Sequence, residues 1–234
     1  MASRNRLLSL LSADELGAFD GALEPVQLRF KDVLQEPDRP ISHVYFVTSG
    51  VASLVNEPDH GEIVEVATIG REGMVGFNIV LGADTMPSRT LIQIPGEGFR
   101  LEAARFRDFV DAHPDFRIAL MRYIMAVLTQ IAQNASCNRL HEVQERCARW
   151  LLQTHDRVDG DSFPLTHEFL GQMLGVHRPT VSIAAGMLQK AGLIAYARGT
   201  ITILDRSGLE AASCNCYRFV EREYQRLLGG PQAR

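Results

Sequence analysis

The chain has 234 residues, 46% of them hydrophobic and 22% charged, with a formal net charge of −4. That composition suits an ordinary globular protein of two modest domains or one large one, and it argues against a general polyanion binder. No apolar run reaches the ~18 residues of a membrane span, and Ser9, Ser12 and Asp14 interrupt the leucines behind the basic start, so neither a signal peptide nor a membrane partner is expected and the expected location is cytoplasmic. The charge is unevenly spread: from Arg139 onward 12 Lys/Arg face 10 Asp/Glu, and before it 12 face 18, so only the rear is suited to approach phosphates.

Residues 3–23 are predicted helical, with Leu7, Leu8, Leu10, Leu11, Leu16 and Phe19 roughly on one side and a capping-box spacing at Ser12 and Glu15 that can start a second short helix. Short β-rich runs follow at 26–34, 43–48, 51–55, 63–68, 74–77 and 89–94. Turn signals separate them at 36–38, Ser49-Gly50, 58–61, 70–73 and Pro95-Gly96, a punctuation that predicts an antiparallel sandwich or barrel. Helical periodicity returns after Leu101. Pro114 can open a long helix to about Cys137, whose apolar surface (Phe116, Leu120, Tyr123, Met125, Val127, Leu128, Ile131) suits a core helix or, as we favour, a dimer seam. Residues 138–142 are polar and can hinge, and a further helix is predicted over 143–158.

Residues 165–194 predict helix, tight turn, helix. Thr166 can cap the first helix, Leu170, Met173 and Leu174 supply its apolar face, and Gly175 ends it. The second helix starts near His177 or Arg178 with Pro179 in its first turn; Val181, Ala184, Ala185 and Leu188 pack inward, leaving Arg178, Thr180, Ser182 and Ile183 outward. Residues 196–203 then predict a hairpin. A helical hairpin with a β-turn appended would also fit, but helix-turn-helix plus wing is the arrangement of a groove reader. Ser207 and Glu210 have capping-box spacing and can open one last helix to about Leu228, with Leu209, Ala212, Cys216, Phe219 and Leu227 along one side, packing on the rear domain or meeting a partner.

Residues 165–203 resemble the winged helix-turn-helix of the Crp/Fnr superfamily, carried by Thr166, Gly171-Gln172, Gly175, Arg178, Thr180-Val181 and Gly192-Leu193-Ile194. In the front half, residues 49–52 resemble that family's strand-end motif, 72–76 its phosphate-cassette region and 114–137 its dimerisation helix. The resemblance implies an α+β chain. An N-terminal double-stranded β-helix (β-roll or jelly roll) sensor domain would occupy 1–113, a dimerisation helix 114–138, and a winged helix-turn-helix domain with an extra C-terminal helix 139–234. It implies a homodimeric transcription regulator, an activator or repressor on a near-palindromic operator, with double-stranded DNA and RNA polymerase as partners. A cyclic-nucleotide-binding-like module acting through protein partners is the alternative, but such a module has no reason to carry 165–203.

By the same resemblance, Thr166, His167, His177 and Thr180 face phosphate and Arg198 lies on the wing. Arg178 is the base reader, able to fork onto guanine, or else a phosphate clamp or surface ion pair; Ser182 can reach a neighbouring base. Pro179 and Ile183 depart from the best-known members, and Ile183 can meet a thymine methyl, so a different half-site is expected.

The candidate effector pocket comprises Met74, Gly76, Phe77, Arg89, Met125 and Ile131. Where cAMP-binding members place an acidic residue on ribose and a polar pair on adenine, this chain has Phe77 and Ile131-Ala132, so cAMP is not expected; Arg89 can anchor an anion or be structural. No cysteine precedes Cys137, which disfavours an iron–sulfur sensor, and the scattered His43, His60 and His113 give no haem signature. An unidentified small-molecule effector, or none, remains. The four cysteines (137, 147, 214, 216) include no C-x-x-C pair. Cys214 and Cys216, read as lying in one helix, would point apart by ~200°, so no metal is expected, only free thiols, with a redox role for Cys214 left open. Neither a P-loop nor a G-x-S-x-G, H-E-x-x-H or G-x-G-x-x-G motif occurs, and no enzyme activity is expected.

Overall fold

The computed structural model describes residues 4–17, 19, 21–59 and 62–229. His60 and part of the expected N-terminal helix lie outside them. Among the described residues no helix is long and apolar enough to cross a membrane. The chain forms two compact units, one of residues 1–54, 69–128 and 224–234, the other of residues 55–68 and 129–223. The expected boundaries at 113/114 and 138/139 follow the chain, whereas packing assigns the described residues of 55–68 to the second unit and 224–229 to the first.

Residues 24–102 carry an antiparallel sheet of β1 (Glu24–Leu28), β2 (Val33–Gln35), β3 (His43–Asp59), β4 (Glu62–Ile69), β5 (Met74–Val75) and β6 (Arg89–Glu102). Its order is β1-β6-β3-β4, with β2 also on β6 and β5 on β3. Two expected turns are not turns. Ser49-Gly50 lies inside β3 and Pro95-Gly96 inside β6, where the two strands cross closely. Gly50 has φ +82°, and a Cβ on it would stand 2.6 Å from the Ile94 carbonyl oxygen; glycine here serves a bend in a continuous strand, and the residue types alone do not distinguish that from a turn.

Among the described residues the start of the chain is mostly not helical: a 3-10 turn (Leu8–Leu10) precedes the short α1 (Ala13–Gly17). The Ser12/Glu15 box does form, with Ser12 N–H donating to Glu15 Oε2 at 2.8 Å and Glu15 N–H to Ser12 Oγ at 3.2 Å. Asn5, fully buried, donates to the carbonyls of Val47 and Gly73 at 2.8 and 2.7 Å and so pins this segment by polar contacts that apolar periodicity does not register. α2 (Ala103–Ala112) packs Phe106 against Phe46 edge-to-face, ring centroids 6.0 Å apart.

α3 (Pro114–Leu140) is the expected long helix, and its first half belongs to the first unit. It buries Phe116, Leu120, Tyr123, Ile124 and Val127, while Ile118, Met121, Met125 and Leu128 are 45–50% exposed. Their spacing of three, four and three residues lines them along one face.

In the second unit, α4 (Val143–His155) runs through the core, its Trp150 buried with the indole N–H donating to Glu65 Oε1 at 2.9 Å. α5 (His167–Leu174), α6 (Arg178–Lys190), β8 (Ile194–Ala197) and β9 (Thr200–Ile203) follow as expected. A third strand, β7 (Ser162–Pro164), unforeseen because it is short and contains proline, pairs with β9. The expected last helix is two. α7 (Arg206–Ala212) is capped by Asp205, whose Oδ1 accepts from Gly208 N–H at 2.9 Å, rather than by Ser207. At Ser213 the backbone turns extended (ψ 156°) and the serine hydroxyl donates to the Glu210 carbonyl, and α8 (Cys216–Leu228) restarts in a new phase. Tyr217, Val220 and Tyr224 are therefore buried, and Phe219, expected inward, is 40% exposed.

Candidate nucleic-acid interface

The helix pair is closed by its small residues. Thr166 caps α5, its Oγ1 accepting from Phe169 N–H at 3.1 Å. Gly175 ends it in the left-handed region (φ 62°), and Val176 N–H returns to the Gly171 carbonyl at 2.9 Å. A Cβ on Gly171 would stand 2.8 Å from the Val176 carbonyl oxygen, so the approach of the turn to α5 requires glycine there. Behind α6, Val181, Ala184, Ala185 and Leu188 are all buried, which fixes its opposite face outward.

On that outward face His177, Arg178, Thr180, Ser182 and Ile183 are exposed, as are Thr166 and Arg198. Arg178 has no ion-pair partner among the described residues, and no acidic residue lies in the first turn of α6. Ile183 is 66% and Met187 45% exposed, one turn apart, with open space at Gly186 between them. Met187 was missed because a methionine at helical spacing reads as core. Arg198, with φ 51°, and Gly199, with φ 77°, form the two-residue tip between β8 and β9, a type I′ geometry that projects the arginine from the wing.

His167 is placed differently from the expectation. Half-buried, it stacks on Tyr196 of the wing, ring centroids 4.1 Å apart, and its Nδ1 lies 2.9 Å from Ser182 Oγ. Ser182 Oγ in turn donates to the Arg178 carbonyl at 3.1 Å, so Nδ1–H is the donor to the serine. Burial, then the charge of Arg178, holds this imidazole below its usual range. His167 thus braces α5, α6 and the wing together, and Ser182 is engaged within the protein.

Five of the six candidate effector residues belong to the first unit and one to the second. Met74 and Phe77 are buried, Gly76 takes φ 86°, and Tyr123 fills the space beside them. Its ring meets Phe77 edge-on at 6.1 Å and its hydroxyl donates to the Met74 carbonyl at 3.0 Å. Arg89 pairs with Glu36 at 3.2 Å, Met125 is half-exposed, and Ile131 belongs to the other unit. His113 stacks on Phe109 at 3.9 Å, and His43 Nδ1 lies 3.0 Å from Ser42 Oγ.

A buried helix pair with a free polar and basic face, followed by a two-stranded wing, defines the class of a winged helix-turn-helix DNA-binding domain. Residues 145–212 match the family of Crp-like helix-turn-helix domains. The chain shares the fold of FixK2 from Bradyrhizobium japonicum over 82% of its length and 98% of that protein's (TM-score 0.70, 16% identity). It is similarly close to a protein described as a transcriptional regulator of the Crp/Fnr family from Eubacterium rectale (0.69, 16%, 90% and 98%). The c-di-GMP-responsive regulator CLP of Xanthomonas campestris follows (0.65, 18%, 82% and 99%). No curated protein sequence matches the chain. Residues 145–212 are thus a Crp-like helix-turn-helix domain, and the chain shares the fold of these Crp/Fnr-type proteins.

Proposed function

We propose that the chain acts in the cytoplasm as a homodimer on a near-palindromic operator, placing α6 of each copy in successive major grooves ~34 Å apart. The carrying observation is the outward face of α6: an Arg178 with no ion-pair partner among the described residues, beside exposed His177 and Thr180, on a helix fixed by four buried residues. Arg178 reads a guanine, and His177, Thr180, Thr166 and Arg198 meet phosphate. The Ile183–Met187 surface favours thymine methyls over a polar contact. The stripe of Ile118, Met121, Met125 and Leu128 supports dimerisation, because four large apolar side chains aligned on one helix face gain by mutual burial. The packing of Tyr123 on Phe77, an apolar contact where cAMP-binding members place an acidic residue on ribose, speaks against cAMP as the effector. We read the chain as a regulator rather than an enzyme. Selection from random duplex DNA followed by gel shifts at several salt concentrations tests this. A recovered inverted repeat bound with a steep salt dependence supports it; equal affinity for every duplex refutes it.

A further inference from the structure

The break between α7 and α8 gathers side chains that are far apart in sequence. The last turn of α3 carries Cys137, and His141 follows it by four residues, its N–H still donating to the Cys137 carbonyl at 3.1 Å, so the two side chains share a face. Cys214 sits in the break and Cys216 opens α8. The four ligand atoms, three Sγ and one imidazole nitrogen, all lie within 4.8 Å of one another. Cys137 Sγ to Cys214 Sγ is 3.5 Å, as is Cys216 Sγ to His141 Nδ1. All three thiols are buried. We propose that Cys137, His141, Cys214 and Cys216 form a closed tetrahedral Cys₃His site for a single zinc ion.

Three observations carry the assignment. The first is size: zinc–sulfur arms of about 2.3 Å give ligand–ligand edges of about 3.8 Å, so the set needs only sub-ångström adjustment. An iron–sulfur cluster spaces its thiolates wider than this set allows.

The second is charge. Arg146 and Arg149 are both buried, 6% and 4% exposed, and neither has a carboxylate partner among the described residues. Each leaves its Nε without a hydrogen-bond acceptor. Both lie within electrostatic reach of Cys137, and Arg146 of Cys214 as well. Buried cations require a counter-charge. Zinc with three thiolates and a neutral imidazole carries one net negative charge at that place.

The third is the surround. Gln133 donates Nε2–H to Cys216 Sγ at 3.0 Å, the kind of outer contact that orients a metal thiolate. A cleft of about 410 Å³, lined by Gln133, His141, Cys216, Arg218 and Phe219 among others, gives an ion access to Cys216 and His141. Cys147, fully buried in α4, is not in the set.

The test uses the full-length protein. Elemental analysis of protein purified without chelator should find about one zinc per chain. After chelation under reducing conditions, Co²⁺ should give saturable thiolate-to-cobalt charge-transfer and tetrahedral d–d bands that Zn²⁺ abolishes. Cys137→Ser and Cys216→Ser should lose the spectrum and Cys147→Ser should keep it. Gln133→Leu should weaken the affinity by about 10–100-fold. Should the serine variants fail to fold, His141→Cys keeps four ligands and should bind Co²⁺ with a shifted spectrum. A wild-type chain of folded circular dichroism with neither zinc nor a cobalt spectrum overturns the proposal. So does a Cys137–Cys214 disulfide in protein alkylated at lysis.

Discussion

Arg178→Ala separates base reading from phosphate clamping. The side chain is exposed and makes no ion pair among the described residues, so its loss should change folding stability by less than about 0.5 kcal/mol. On DNA a bidentate guanine contact is worth about 1–3 kcal/mol of discrimination. A two-fold complex has two such contacts, about 2–6 kcal/mol, so the selected operator should bind at least about 30-fold more weakly. If Arg178 were only a phosphate clamp, affinity would fall alike on all duplexes and the salt slope would drop by about 1.8 for two contacts. Fluorescence anisotropy on the operator and on a scrambled duplex, each across a salt series, reads both quantities. Base reading requires a large loss on the operator, a small one on scrambled DNA, and relaxed preference at one base pair per half-site. Equal losses on both duplexes with a shallower slope would refute it.

Met125→Glu puts a charge into the exposed stripe of α3 and should raise the dimer dissociation constant at least about 100-fold, from about 3 kcal/mol of lost methionine burial per dimer; sedimentation equilibrium measures it, and an unchanged dimer excludes this seam. Gly171→Ala should lower the melting temperature, although alanine gains about 1 kcal/mol of helix propensity, because its Cβ would lie 2.8 Å from the Val176 carbonyl oxygen; a rise would show that the turn yields freely. His167, depressed by burial and by Arg178, should contribute stability that is complete above its unfolded pKa of about 6.5 and lost as pH falls through the lower folded value. Melts of wild type and His167→Gln across that window should therefore converge on acidification, and a constant gap would remove the imidazole from the account.

The helix-turn-helix was legible because local signals agreed at every position. A threonine cap, a glycine stop, a proline in the next first turn and two apolar faces of matching period all point to one geometry. The long helix was legible for the same reason. The roll was legible as a class, and so were its turns at 36–38 and 70–73, but Ser49-Gly50 and Pro95-Gly96 were misread, since a glycine that bends a strand and a glycine that ends one look alike in sequence. His167 was misplaced because its partner Tyr196 lies 29 residues on and no pattern links a helix start to a wing strand. The cysteine cluster was hidden by one local event. Read as a continuous helix, Cys214 and Cys216 diverge; with the break at Ser213 they converge on Cys137 and His141.

That convergence bears on the reading head through α4. Arg146 donates Nη2–H to the carbonyl of Leu174, the last residue of α5, immediately before the Gly175 turn that sets α6. A guanidinium there satisfies a carbonyl that helix termination leaves open and suits the negative end of the helix dipole. With zinc bound as proposed, the same guanidinium would face the net negative charge of the cluster, while burial pulls its own pKa down. One buried cation therefore answers both to the sulfur cluster and to the turn of the DNA-binding motif.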